Sequence, residues 1–170
     1  TGYLLGSLSF ARIVTALVEP GRRVEKLQVS VPDSDVEFES DVVSATTVRL
    51  QLGAKYGCLT SLLDMLKAAL PTLAFRFGYP DEPYYLIAAG MVTVGHIWPI
   101  YYRFKGGRGM SPILGGMLAI DPLGVVISHA IASLIGIPLK NTLISIGGGI
   151  ALMAPWFFFF NDTATTEIYT

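Results

Sequence analysis

The chain has 170 residues, of which 52% are hydrophobic and 15% are charged, and its mean hydropathy is +0.54. Soluble domains carry about 25% charged residues, so this composition excludes an ordinary soluble domain and indicates a membrane protein. The formal net charge of -1 is uninformative, because the placement of Lys and Arg matters more than their sum in a membrane protein. With Cys58 as its one cysteine, the chain has neither a disulfide framework nor a zinc-binding pattern.

The first predicted element is an apolar run from Tyr3 to Val18. Because a spanning helix needs roughly 20 apolar residues, we expect this run to be a span cut at its N-terminus. In the connection Glu19–Gly53, the alternation in "KLQVSVPDSDVEFESDVV" predicts a short strand. Its acidic cluster suits either a metal site or a solvated loop face, and the solvated face is favoured. The cluster comprises Asp33, Asp35, Glu37, Glu39 and Asp41.

A second span is predicted over Cys58–Phe77 and contains the sequence "LLDMLKAALP". Asp64 and Lys67 are three residues apart, so on a helix they lie on one face and can neutralise each other. Ionisable residues inside a span are candidates for function, but a structural ion pair that supports neighbouring loops fits equally well. We therefore treat both residues as structural or as supporting a site.

The third predicted span, Tyr84–Tyr102, leads into "FKGGRG", whose residues 105–109 we name the glycine loop. Closely spaced glycines let backbone N–H groups converge, and a helix that begins near Pro112 would add its positive dipole end. Lys105 and Arg108 supply charge that can pair with phosphate oxygens. The alternative is a flexible turn whose cations contact anionic lipid headgroups. Composition alone leaves both interpretations open.

Two further spans complete the predicted fold, over Pro112–Ile137 and Thr142–Phe160. Asp121-Pro122 interrupts the first of these, which predicts a kink or two half-helices. The tail "FFFFNDTATTEIYT" changes composition abruptly and resembles translated sequencing-adapter read-through. We expect one membrane domain over residues 1–156, a foreign tail over residues 157–170, and an all-α polytopic bundle of about five spans.

The distribution of basic residues predicts the orientation of the bundle. Lys and Arg are frequent in or beside Glu19–Gly53 and in the glycine loop, whereas the other connections offer only Arg76 and Lys140. The positive-inside rule therefore places the long connection and the glycine loop on the cytoplasmic face. His96 and His129 are most simply interhelical hydrogen-bond partners, with His96 the better candidate for contact with a substrate.

Three segments in the same order resemble a known family. They are "YLLGSLSFA", "LGAKYGCLTSLLDMLKAALP" and "GHIWPIYYRFKGGRG", and they are similar to the bacterial membrane glycerol-3-phosphate acyltransferases of the PlsY type, which use acyl phosphate as donor. The third segment is the most specific, since the family pattern is Gly-His-x-Phe-Pro followed by Phe-Lys-Gly-Gly-Lys-Gly. The residues that match it are Gly95, His96, Pro99, Phe104, Lys105, Gly106, Gly107 and Gly109.

The resemblance implies transfer of a fatty acyl group from acyl phosphate to glycerol 3-phosphate in the bacterial inner membrane, with the site at the cytoplasmic face. It implies no cofactor, no metal and no nucleic acid; the expected partners are acyl phosphate, glycerol 3-phosphate or another polyol phosphate, and membrane lipids. An acyl phosphate is already activated, so positioning suffices and no Ser-His-Asp arrangement is needed. The implied catalytic residues are Ser7, His96 and Lys105. The implied substrate-binding residues are Gly106, Gly107, Arg108, Gly109, Ser40 and Thr46.

The chain departs from the family pattern in its first loop. The family signature, Asp-x-Arg followed by Gly-Ser-Gly-Asn-x-Gly-Ala-Thr-Asn, aligns with "SDVEFESDVVSATT", where Val36 replaces a phosphate-binding Arg. The acidic side chains there oppose an anionic acceptor. Ser111-Pro112 stand where Ala-Thr is usual, and the last family motif is not found. We therefore expect an acyltransferase with an altered acceptor whose present chain lacks part of its site. The alternative is a noncatalytic membrane paralogue that binds phosphate or lipid headgroups; a small transporter has little support.

Overall fold

The computed structural model describes residues 1–21, 27–30, 37–40, 42–141 and 143–160, with only the backbone given for 27–30, 37–40, 143 and 160. The chain divides into two compact units, residues 1–116 and 117–170. The first unit contains helices α1 (Gly2–Gly6), α2 (Phe10–Val18), α3 (Ala45–Leu52), α4 (Ala54–Gly78) and α5 (Tyr84–Ile97), and the hairpin β1 (Leu27–Ser30) and β2 (Glu37–Ser40). Helix α6 (Met110–Ile120) crosses the boundary, and the second unit contains α7 (Pro122–Gly136) and α8 (Gly148–Phe160).

The hairpin lies in the long connection where the alternating pattern predicts a strand. Its two strands are antiparallel, with Leu27 opposite Ser40 and Ser30 opposite Glu37. Of the acidic cluster, Glu37 and Glu39 belong to β2. Asp33, Asp35 and Asp41 lie outside the described residues.

Helix α4 is long and apolar enough to cross a membrane. Its 25 residues rise about 1.5 Å each, which gives about 37 Å of helix, more than the hydrocarbon core of about 30 Å. Polar residues on the helix are buried and leucines are exposed, the reverse of a soluble helix. The buried polar residues are Thr60, Asp64, Lys67 and Thr72, and the exposed leucines include Leu62, Leu66 and Leu70. This distribution is typical of a helix whose outer solvent is lipid.

The predicted first span is broken into α1 and α2. Residues 7–9 separate the two helices, and Ser9 adopts an extended conformation before α2 begins. Small residues bring α1 close to α5, since a Cβ at Gly6 would overlap the backbone of Val92 and one at Gly95 would overlap the carbonyl oxygen of Tyr3. The break therefore lies against the C-terminal end of α5.

Helix α5 ends five residues earlier than the predicted third span. It stops at Ile97, because the residue before Pro99 is disfavoured in the helical conformation. A short 3₁₀ helix, Ile100–Tyr102, follows. Arg103 and Phe104 then take left-handed conformations with φ of 53° and 62°, which turn the chain back towards α5.

The second unit confirms the predicted break in the fourth span. Asp121 caps α7, its Oδ1 accepting a hydrogen bond from the Gly124 amide at 2.8 Å, while Oδ2 accepts one from Trp156 Nε1 of α8 at 2.7 Å. A π-helical turn, Leu143–Gly147, precedes α8. The first four residues of the tail that we expect to be foreign, 157–160, continue α8, and residues 161–170 lie outside the described residues. The origin of the tail stays a prediction.

Candidate functional site

A buried ion pair and a histidine form the centre of the site in the first unit. Lys67 Nζ lies 2.8 Å from Asp64 Oδ1 and 2.9 Å from His96 Nδ1, and it donates to the carbonyl oxygen of Leu8 at 2.7 Å. His96 Nδ1 lies 3.4 Å from the same carboxylate oxygen. All three side chains are buried, so the charges compensate each other where water cannot. The predicted pairing of Asp64 with Lys67 is present, and the helix break at residues 7–9 provides the Leu8 carbonyl.

Ser7 connects the helix break to the segment that follows α5. Its side chain is fully buried. The hydroxyl donates to the Tyr3 carbonyl oxygen at 2.9 Å, and Oγ accepts from the Ile100 amide at 3.4 Å. Ile100 N–H would otherwise continue α5 by donating to the His96 carbonyl. Ser7 thus lies beside the end of α5, and direct contact between its hydroxyl and a substrate stays a prediction.

The glycine loop folds back onto the end of α5. The Gly107 amide donates to the His96 carbonyl at 3.1 Å, and the Val43 amide donates to the Gly106 carbonyl at 3.2 Å. A Cβ at Gly106 would overlap the His96 carbonyl oxygen, and one at Gly107 would overlap His96 Nε2. Glycine is therefore required at both positions because the backbone lies directly against its neighbours.

Several amides of the glycine loop point to an anion site. Among the residues that the structure describes, no protein group accepts a hydrogen bond from the N–H of Gly106, Arg108 or Gly109. Gly109 has φ of 82° and immediately precedes α6, whose N-terminal end carries positive partial charge. Converging free amides at a helix N-terminus form a site suited to phosphate or carboxylate.

Three cations surround these amides. The side chains of Lys105 and Arg108 are exposed at the loop. Arg12 of α2 donates from Nη2 to the Lys105 carbonyl at 2.9 Å, and its guanidinium lies 4.2 Å from the centre of the Tyr102 ring. Arg12 is one of the basic residues in or beside Glu19–Gly53 on which the predicted orientation rests. A cation inside the predicted span Tyr3–Val18 was the signal that could have identified it.

Comparison with known proteins identifies the family. Residues 1–170 match the family model described as glycerol-3-phosphate acyltransferase. The chain is 31% identical over 159 residues to the glycerol-3-phosphate acyltransferase of Aquifex aeolicus, covering 93% of this chain and 75% of that protein. The chain belongs to the glycerol-3-phosphate acyltransferase family. It is 36% identical over 161 residues to the family member from Pelagibacter ubique, covering 92% and 74% of the two chains.

Solved structures of the family share the fold. The chain is similar to the glycerol 3-phosphate form of PlsY, an integral membrane glycerol 3-phosphate acyltransferase, with a TM-score of 0.73 and 28% identity over 99% of this chain and 78% of that one. The lysophosphatidic acid form has a TM-score of 0.59 at 24% identity, over 92% and 83% of the chains, which supports the fold alone. This glycerol-3-phosphate acyltransferase family member is therefore a membrane protein, and its helical bundle is the predicted one.

Two predicted binding residues, Thr46 and Ser40, belong to the family's first loop. Thr46 is exposed near the start of α3, and Ser40 lies in β2, where its side chain is outside the description. Thr47 is the buried threonine: its Oγ1 donates to the Val42 carbonyl at 2.7 Å, and its amide donates to Ser44 Oγ at 3.3 Å. These bonds hold Val43 against the glycine loop. Substrate contacts for Ser40 and Thr46 stay predictions.

Two further residues have structural partners. Ser111, where the family usually has Ala, lies 2.9 Å from Ser61 Oγ and so connects the start of α6 to α4. His129 lies in the second unit, with Nδ1 2.9 Å from the Val125 carbonyl oxygen and its ring against Gly149. In the described part of the chain, no group of three His, Cys, Asp or Glu side chains is arranged to hold a metal ion.

Proposed function

We propose that the chain transfers a fatty acyl group from acyl phosphate to glycerol 3-phosphate, giving lysophosphatidic acid and phosphate. Membership of the family supports acyl transfer to glycerol 3-phosphate, since relatives are named glycerol-3-phosphate acyltransferase; acyl phosphate as the donor follows from the resemblance to the PlsY type. The observation that carries the proposal is the glycine loop: it lies against His96, and its amides at Gly106, Arg108 and Gly109 are available to an anion.

In this proposal the glycine loop binds the phosphate of the donor. The glycerol hydroxyl forms the new ester C–O bond at the acyl carbon, the C–O bond to phosphate breaks, and the hydroxyl proton leaves with the phosphate product. Negative charge grows on the departing phosphate during this step. Preorganised N–H groups and the cations of Lys105 and Arg108 stabilise that charge, which is the largest contribution that such sites usually make.

The membrane supplies the rest of the binding site. The acyl chain of the donor needs apolar surroundings, and the exposed leucines of α4 show that the first unit presents an apolar outer face. Within this unit the end of the bundle that carries the glycine loop also carries Arg12, Lys105 and Arg108. The opposite end, between α4 and α5, carries Arg76 together with Asp81 and Glu82. By the positive-inside rule, we place the site at the cytoplasmic face of the bacterial inner membrane.

The acceptor is the least constrained part of the proposal. The names of the relatives favour glycerol 3-phosphate, and Arg12 provides a cation beside the glycine loop that compensates in part for Val36 in the first loop. Another polyol phosphate would meet the same groups, because the loop and its cations recognise phosphate and not the polyol.

The test is an acyl-transfer assay with the full 170-residue chain in lipid vesicles. Acyl phosphate and labelled glycerol 3-phosphate are supplied, and labelled lysophosphatidic acid is separated and counted, with other polyol phosphates in parallel. We expect product from the unaltered chain and a loss of about 10²-fold in kcat for Lys105→Ala. Lys55→Ala, which removes another exposed lysine, is the matched control. Absence of product with every acceptor, or a Lys105→Ala variant as active as the control, would favour the noncatalytic alternative.

A further inference from the structure

The hydrogen bonds of Lys67 determine where His96 carries its proton. An ammonium group has three N–H donors and no acceptor. Lys67 Nζ has three acceptors within range: the Leu8 carbonyl at 2.7 Å, Asp64 Oδ1 at 2.8 Å and His96 Nδ1 at 2.9 Å. The contact with Asp64 is an ion pair without an aligned hydrogen bond, whereas Leu8 and His96 lie at hydrogen-bond distance and angle. Because the ammonium can only donate, His96 Nδ1 must accept.

The other tautomer fits the geometry less well. A proton on Nδ1 would point at the Lys67 ammonium at 2.9 Å, donor against donor, while its possible acceptor, Asp64 Oδ1, is farther away at 3.4 Å. Protonation of both ring nitrogens would place a second cation beside Lys67 with a single carboxylate to compensate both. The arrangement favours a neutral imidazole with its proton on Nε2.

The Nε2 edge of the ring faces the glycine loop. A Cβ at Gly107 would overlap Nε2 and lie 3.0 Å from Cε1, so this edge lies against the backbone of the loop. Within the described ranges, no protein acceptor is hydrogen-bonded to Nε2.

We propose that Lys67 and Asp64 are positioning residues that fix His96 as the Nε2–H tautomer, so that the imidazole donates a hydrogen bond to the phosphate bound at the glycine loop. The proposal rests on the proposed function for the identity of that phosphate. In it, His96 keeps its proton and does not act as a base. Lys67 acts through His96 and does not touch the substrate.

Nitrogen NMR tests the tautomer directly. The chain has two histidines, so ¹⁵N-histidine labelling of the full chain gives few signals, and His129→Gln assigns them. We expect the Nε2 of His96 to give a protonated-type resonance and its Nδ1 an unprotonated one. Addition of inorganic phosphate should move the Nε2–H resonance. A proton on Nδ1, or an Nε2–H resonance unmoved at saturating phosphate, would overturn the proposal without reference to any activity.

Kinetics of Lys67→Met tests the consequence. This change keeps an unbranched side chain and removes the three N–H donors. We therefore expect kcat to fall about 10-fold to 100-fold, while KM for glycerol 3-phosphate stays within about 3-fold of the value for the unaltered chain. The nitrogen resonances of His96 should also change. The control Thr72→Val removes another buried hydrogen-bonding group of α4 and should leave kcat and the His96 resonances unchanged. A kcat equal to that of this control would contradict the proposal.

Two outcomes separate the proposals from each other. If Lys67→Met does not fold, the spectrum of the unaltered chain decides the tautomer alone. If that spectrum shows the Nε2–H tautomer but the unaltered chain makes no product, the proposed function fails and the positioning of His96 by Lys67 stands.

Discussion

Replacement of Gly107 by alanine is the sharpest perturbation of the site. The added methyl would overlap His96 Nε2 and lie 3.0 Å from both His96 Cε1 and the Val43 carbonyl oxygen. The ring cannot move aside without breaking the 2.9 Å contact with Lys67, and Val43 is itself held by its bond to the Gly106 carbonyl. Overpacking of this kind costs about 1–3 kcal/mol. We expect the free energy of unfolding of Gly107→Ala to fall by that amount.

In Gly107→Ala, the loss in kcat should be larger than the loss in the free energy of unfolding alone would suggest. Displacement of the loop by about 1 Å costs about 10²-fold in rate when the loop positions the reacting group, so kcat for acyl transfer should fall by that factor. Gly90→Ala in α5 is the matched control: no heavy atom lies within 4 Å of its added methyl. That change should stabilise the helix by about 0.5–1 kcal/mol and leave the rate unchanged. A Gly107→Ala protein with the rate of this control would refute the assignment of the loop as a phosphate site.

Two further predictions concern other contacts. Asp121→Ala removes the acceptor for both the Gly124 amide and Trp156 Nε1. Because a helix cap and a buried partner are lost together, the free energy of unfolding, measured by thermal or denaturant unfolding, should fall by about 2–4 kcal/mol. Asp121→Asn keeps an acceptor oxygen and should lower it less, so equal losses in the two variants would contradict this reasoning. Arg12→Leu removes the bond to the Lys105 carbonyl and should raise KM for acyl phosphate about 10-fold in the transfer assay. The control Arg49→Leu, at an exposed position of α3, should leave KM unchanged. Equal KM values for the two variants would show that Arg12 does not support the loop.

The elements that sequence predicts well are those with a local cause. Apolar runs indicate the spans because lipid requires a continuous apolar surface. The break at Asp121-Pro122 is visible because proline cannot continue a helix and aspartate caps the next one. The pairing of Asp64 with Lys67 follows from their spacing on one helix. In each case the residues that decide the structure are within a few positions of each other.

The features that sequence misses depend on partners distant in the chain. No proline marks the break at residues 7–9; Ser7 is held there by Ile100 and Leu8 by Lys67. The position of Arg12 depends on Tyr102 and on the Lys105 carbonyl. The structural role of Thr47 depends on the approach of the first loop to the glycine loop, which is made through Val43. None of these contacts leaves a periodic signal.

Helix breaks supply the polar backbone groups of this site. The free-energy cost of leaving such groups without hydrogen-bond partners explains why the breaks lie close together. An unsatisfied backbone group in a membrane costs several kcal/mol, so each freed group needs a partner. The break after α1 frees the Leu8 carbonyl, which Lys67 satisfies, and the end of α5 frees the His96 carbonyl, which the Gly107 amide satisfies. The amides of Gly106, Arg108 and Gly109 have no protein acceptor in the described part of the chain. Arg12, Lys105, Arg108 and the Nε2 edge of His96 lie in or beside the loop, and the proposed function therefore assigns an anion to these amides.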